Sequence, residues 1–144
     1  MPLPYATPEE LAGWARYEMS RNPDFVVGPA DNPYLRRWWI VPRNASANVY
    51  LHEILRSDDD RALHDHPWPN TSIVIEGRYV EHTPEGRFMR GPGDVVSRDA
   101  TDAHRLEILP GERAISLFLF CLGSTYAMQL CRRFGFNPDE QVLP

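Results

Sequence analysis

The sequence predicts an all-β domain with one short helix at its N-terminal edge. Short apolar segments recur along most of the chain and are divided by Gly- and Pro-rich turns, the texture of a sandwich or barrel. A helical face is confined to the opening residues, and no internal repeat, low-complexity tract or linker follows it. The chain has 144 residues, with four Trp, six Tyr and six Phe. That is enough to bury a core without disulfides, and the aromatic content argues against intrinsic disorder. One domain is expected over 1–144, with an N-terminal helical or extended arm over 1–30 and a β-barrel over 31–144.

Thr7 can cap the helix, Pro8 suits its first position, and Glu9 and Glu10 sit at the positive end of its dipole. Leu11, Trp14, Ala15 and Met19 mark one face, and Asn22-Pro23 ends it. The strands expected next are Arg36–Val41, Val49–Leu55, Ser72–Ile75, Arg78–Glu81, Asp94–Ser97, Arg105–Ile108, Ala114–Leu122 and Thr125–Leu130. Between them lie the turn signals Pro42-Arg-Asn, Glu76-Gly77, Pro84-Glu-Gly86, Gly91-Pro-Gly93 and Pro110-Gly111. Trp38-Trp39 place their rings on opposite faces of a strand, one toward the core and one toward a subunit contact.

The net charge of −5 is mild, and every basic residue is arginine. No basic stripe interleaves with aromatics, which argues against nucleic acid as a partner. The stretch Ala114–Ala127 is too short and interrupted to span a bilayer. The opening Met-Pro-Leu-Pro-Tyr lacks the layout of a secretory signal, and Cys121 and Cys131 show no metal-finger or redox spacing. The expectation is a reduced cytoplasmic protein without a membrane partner, with Cys121 a small buried hydrophobe.

The informative residues are histidines. His64 and His66 flank Asp65. On a strand, alternate side chains share a face about 6.5–7 Å apart, so two imidazoles can converge on one ion at roughly 2.0–2.1 Å per bond. Asn70 stands four positions after His66, Gly77 follows after six more residues, and His104 lies eleven residues after Gly93. This layout resembles the two motifs of the cupin superfamily. His64 and His66 fill the histidine places of the first motif, Asn70 fills its Glu place and Gly77 its closing Gly, with Asp58 at the opening Gly place. Gly93 and His104 match the ends of the second motif, while Asp99 and Thr101 replace its Pro and inner Gly. The run from Leu51 to Trp68, with the later Arg-Phe-Gly-Phe136, also looks like a group of small bacterial and phage cupins of unassigned function.

The resemblance implies a double-stranded β-helix, an RmlC-like cupin jelly roll with a short N-terminal helix. It also implies one divalent metal held by His64, His66 and His104. Asn70 is then either a weak fourth ligand or a hydrogen-bond partner behind the ligands. The neutral three-histidine set resembles that of thiol dioxygenase-like cupins, so iron(II) is favoured, with zinc, nickel and manganese as alternatives. Tyr50, His52, Trp68 and Ser72 are pocket candidates, and Tyr79, Arg78 and Arg105 are candidates by residue type.

The bland readings make His52 a hydrogen-bonded core residue, His82 an exposed turn residue and His104 a strand residue braced by Asp102 or Glu107. Asp58-Asp59-Asp60 reads as a solvated turn. The first functional reading is a mononuclear iron dioxygenase acting on a small polar molecule. The alternatives are a non-catalytic small-molecule binding or sensing barrel, and a metal-dependent isomerase. Cupins often dimerise through their sheets, so a homodimer is implied as well.

Overall fold

A computed structural model describes residues 7–45, 47–57, 63 and 68–121. Helix α1 runs Pro8–Glu18. The Thr7 hydroxyl accepts from the Glu10 N–H at 3.2 Å, and the Glu10 carboxylate accepts from the Thr7 N–H at 3.0 Å. This reciprocal capping box satisfies two N–H groups that a helix start leaves over. The helix stops at Glu18, five positions before Pro23; there Met19 N–H bonds back to the Ala15 carbonyl and the Ser20 hydroxyl donates to Tyr17 O at 2.6 Å.

The strands are β1 Phe25–Val27, β2 Leu35–Trp39, β3 Ala47–Ile54, β4 Asn70–Gly77, β5 Tyr79–Thr83, β6 Gly86–Arg90, β7 Val95–Arg98, β8 Arg105–Glu107 and β9 Ala114–Cys121. They form a six-stranded sheet in the order β1-β2-β3-β9-β4-β7 and a three-stranded sheet in the order β6-β5-β8. All pairings are antiparallel. Strand β9, last of the described strands, lies between β3 and β4, so the two halves of the large sheet meet only through it. This crossed antiparallel order is that of a jelly roll.

Strand β3 is buried along its whole length because both of its faces are covered. Val49 and Leu51 join Ile73, Ile75, Ile115, Leu117, Leu119 and Trp38 in a cluster onto which Leu11, Ala12, Trp14, Ala15 and Met19 of the helical segment pack. Burying side chains of this size contributes about 1.5–3 kcal/mol apiece. The alternate residues Asn48, Tyr50, His52 and Ile54 face the space between the sheets. Leu35, Ile54, Val74, Tyr79, Ile108 and Ala114 form a second cluster. Trp38 is the core member of its pair and donates its indole N–H to Arg21 O at 2.9 Å, while Trp39 is half-buried beneath the Arg43 guanidinium.

Gly77 makes the β4–β5 turn at φ +74°, and a Cβ there would lie 1.9 Å from the Arg113 carbonyl oxygen. Only glycine fits such a position.

Several boundaries depart from the sequence expectation. β1 and β6 were not expected: β1 has three residues, and the middle of β6 (Arg87, Phe88, Met89) is exposed, so neither shows apolar alternation. Arg78 belongs to the turn rather than to β5, and its guanidinium pairs with Glu112 at 2.7 Å. The expected strand Thr125–Leu130 lies outside the described residues, as do Asp58–Asp60, Cys131 and Phe134–Phe136. Among the described residues no helix is long and apolar enough to cross a membrane.

Candidate functional site

Between the sheets lies a cavity of about 390 Å³. Its walls follow from strand alternation. β3 supplies Asn48, Tyr50, His52 and Ile54, and β9 supplies Ser116, Phe118 and Phe120. Ser72, Trp68, Tyr79, Arg37, Arg43, Arg98 and His104 add to the polar and aromatic lining. Trp68 stacks on Phe120 with centroids 4.8 Å apart, and His52 stacks on Phe118 at 5.4 Å. Arg98 and His104 also line a wider hollow of about 840 Å³ beside β7, together with Asn70 and Glu81.

Glu81 on β5 organises one side of the cavity. Its side chain is 1% exposed, yet it carries two arginines and a histidine. Oε1 accepts from Arg90 Nε at 3.0 Å and lies 2.9 Å from Arg90 Nη2. Oε2 accepts from Arg98 Nε at 2.7 Å, meets Arg98 Nη2, and lies 2.7 Å from His104 Nδ1. Burial pushes the Glu81 carboxyl pKa up, but the His104 hydrogen bond and the Arg98 and His104 charges outweigh it and lower the pKa to about 2. Glu81 is therefore an ionised acceptor, and His104 donates to it through Nδ1–H. In the neutral ring that leaves Nε2 carrying the lone pair, the tautomer of a metal-ligating histidine backed by a carboxylate. Arg98 extends the network by donating through Nη1 to Asn70 Oδ1 at 3.1 Å and to Ser72 Oγ at 3.0 Å.

The expected braces of His104 are thus replaced. β8 pairs with β5, which brings Glu81 beside the histidine. Asp102 instead accepts from the Asp99 N–H at 2.8 Å in the preceding turn, and Glu107 lies 2.8 Å from His82 Nε2. His82 is consequently half-buried rather than exposed. The His82 hydrogen bond, opposed by slight burial, holds the Glu107 carboxyl below the usual range.

The opposite wall centres on His52, which is buried and whose Nε2 accepts from Arg37 Nε at 2.9 Å. The Arg37 guanidinium lies 4.5 Å from the centroid of the Tyr50 ring. Burial lifts the Tyr79 phenol above its ordinary pKa against the opposing Arg98 charge. Tyr50, His52, Trp68 and Ser72 all line the cavity, whereas Asn70 lines only the wider hollow, and Arg78 and Arg105 line neither. His64 and His66 lie outside the described residues. Among the described residues no group of three or more His, Cys, Asp or Glu could hold a metal ion.

Sequence reasoning missed Glu81, Arg98 and Arg37. Glu81 carried one available signal: it shares a strand face with Tyr79 in Arg-Tyr-Val-Glu-His, an acidic residue aligned with a large aromatic. Arg98 and Arg37 carried none, because their partners come from other strands.

No protein-family model matches the chain, and no curated protein matches it. Solved structures do. A Ralstonia eutropha protein provisionally named a mannose-6-phosphate isomerase is 18% identical with a TM-score of 0.56, over 69% of this chain and 93% of that one. The iron(II) form of HppE with an alternative substrate is 14% identical with a TM-score of 0.56, over 70% of this chain and 56% of that one. A cupin-like protein from Thermotoga maritima is 17% identical with a TM-score of 0.54, over 70% of this chain and 78% of that one. At these identities the likeness concerns the fold, and the fold of this chain is the cupin jelly roll.

Proposed function

We propose that the chain is a metal-dependent cupin in which His64, His66 and His104 hold one divalent ion, iron(II) favoured, beside a cavity that takes a small polar molecule. The observation that carries this is His104: a buried imidazole at the cavity wall, its Nδ1–H fixed on an ionised, deeply buried carboxylate. Such an arrangement fixes ring orientation and raises the basicity of Nε2. The donor chemistry fits a three-histidine set. It does not favour Asn70 as a fourth ligand, because the Asn70 oxygen already accepts from the Arg98 cation, and a guanidinium at that atom repels a metal ion.

An ion held by three neutral histidines supplies Lewis acidity and open positions for substrate. The chain's own residues do the rest. Glu81 aims His104, and Arg98 neutralises Glu81 while fixing Asn70 and Ser72. Phe118, Phe120, Trp68 and Tyr50 give the cavity apolar walls that exclude water. His52 offers no lone pair at Nε2, since Arg37 occupies it.

The test is metal content by mass spectrometry on protein purified without a histidine tag or chelator, beside a His64→Ala/His104→Ala variant. Near-stoichiometric metal in the parent and none in the variant is the expected result. Iron then directs the work to oxygen uptake with small polar substrates, and zinc to hydrolysis or isomerisation. A parent that stays empty after exposure to iron, zinc, nickel and manganese would overturn the metal reading and leave a ligand-binding barrel.

A further inference from the structure

Arg36 and Arg37 are neighbours on β2 and point to opposite faces of the sheet. Arg36 pairs with Glu53 at 2.9 Å, and Glu53 also receives Arg113 at 2.8 Å. Arg37 turns inward and lines the cavity. There its Nε donates to His52, its guanidinium carbon lies 4.5 Å from the Tyr50 ring centroid and 5.8 Å from that of Phe25, and no carboxylate among the described residues pairs with it. Its two Nη groups find no acceptor among the described residues. A second guanidinium, Arg43, lines the same cavity, resting over Trp39 at 5.6 Å. Burial lowers the Arg37 pKa from its ordinary value, Tyr50 opposes this, and the charge of Arg43 adds to the lowering.

A partly desolvated cation without a counter-charge is costly. The Tyr50 ring offsets part of that cost through its π face, but a ring cannot accept the planar fork of N–H groups that matches an oxyanion. We propose that Arg37, with Arg43 beside it, binds the anionic head, carboxylate or phosphoryl, of the small molecule that occupies the cavity. His52 holds Arg37 through Nε so that the Nη edge is left for the ligand, and Tyr50 supports the guanidinium plane. This rests on the reading of the cavity as a ligand site and adds the charge class of the ligand, without involving the metal.

The first experiment is a nuclear magnetic resonance titration of the full chain with inorganic phosphate, lactate, the uncharged lactamide, and sodium chloride at matched ionic strength. The signals followed are Arg37 Nε–H and the His52 ring. Phosphate or lactate should move both in a saturable way, lactamide and chloride should not, and the tighter anion identifies the head group. Arg37→Gln should weaken that binding by about tenfold or more, as expected for loss of a charge-assisted hydrogen bond. Arg37→Lys, which keeps the charge without the fork, should fall between them, and Arg16→Gln on the surface should leave binding unchanged.

The titration is repeated after chelation, with metal measured separately. Persistence of the shifts in metal-free protein supports the anion site whatever the fate of the metal reading. Shifts that vanish with the metal, that chloride reproduces, or that survive in Arg37→Gln would overturn it. So would the absence of saturable shifts with both anions. Should Arg37→Gln fail to fold, the wild-type titration and Arg37→Lys still decide.

Discussion

The two sides of the cavity treat arginine in opposite ways. On the β7 side, Arg98 is 7% exposed and its charge is paired from within: Nε bonds Glu81 and Nη1 bonds Asn70 and Ser72, while the buried Nη2 makes no hydrogen bond. On the β2 side, Arg37 faces the same space with a neutral imidazole and aromatic rings around it. The first arginine is part of the architecture, because the fold supplies its counter-charge. The second has no counter-charge among the described residues, and the proposed ligand would supply one. Burial alone would not separate these roles; the identity of the partners does.

The contrast can be broken most directly at Glu81. Glu81→Gln leaves Arg98 buried beside a neutral amide, and loss of one partner from a buried ionic network costs about 3–5 kcal/mol. Urea denaturation should show that loss. A change below about 1 kcal/mol would mean that the network is more solvated than its burial implies.

The same variant sharpens the metal reading. Removing the carboxylate behind His104 should weaken metal binding by about 10–100-fold, measured by competition with a chromophoric chelator. Unchanged affinity would detach Glu81 from the site.

Acid should act on the β7 side through Glu81. Its folded pKa is about 2 against an ordinary 4.5, so its contribution is fully present above pH 4.5 and is lost as pH falls toward 2. Denaturation curves at neutral pH, pH 4.5 and pH 2.5 should therefore show the gap between wild type and Glu81→Gln closing with acid. A gap that stays constant would contradict the depressed pKa.

The smallest stability effect is expected at Arg37. Arg37→Gln removes one hydrogen bond to His52 and the contact with the Tyr50 ring but, among the described residues, no ion pair, a loss of about 1–2 kcal/mol. A cost equal to that of Glu81→Gln would erase the distinction between the two sides.

The sequence was most legible where one rule decided the outcome. Period-two alternation along β3 put Tyr50, His52 and Ile54 on one face, and that face lines the cavity. Thr7, Pro8 and Glu10 announced the helix start, and the capping box is present. Turn glycines marked the end of β4 and the turn after β5, where Gly77 and Gly86, the first residue of β6, adopt positive φ. Legibility failed where structure depends on distant partners. Phe25–Val27 is a strand because β2 offers an edge, not because of its own pattern. Glu81 became the centre of a network only when β6, β7 and the segment leading into β8 delivered Arg90, Arg98 and His104 to it. No local spacing encodes that meeting, and none placed Arg37 against His52 across the β2–β3 pair.

The position of β9 bears on how this chain comes into being. β3 and β4 are made early, yet each needs β9 as its neighbour, with register pairs running from Ala47↔Cys121 to Ile54↔Ala114 on one side and from Asn70↔Phe120 to Gly77↔Ala114 on the other. Until that segment is synthesised, two apolar strands carry open edges, a state prone to pairing with other chains. Closure then joins residues far apart in sequence, which slows folding to the millisecond-to-second range typical of such topologies. A chain cut before Ala114 should therefore aggregate rather than form a smaller stable barrel, and the window of greatest vulnerability falls during translation, between the emergence of β4 and that of β9.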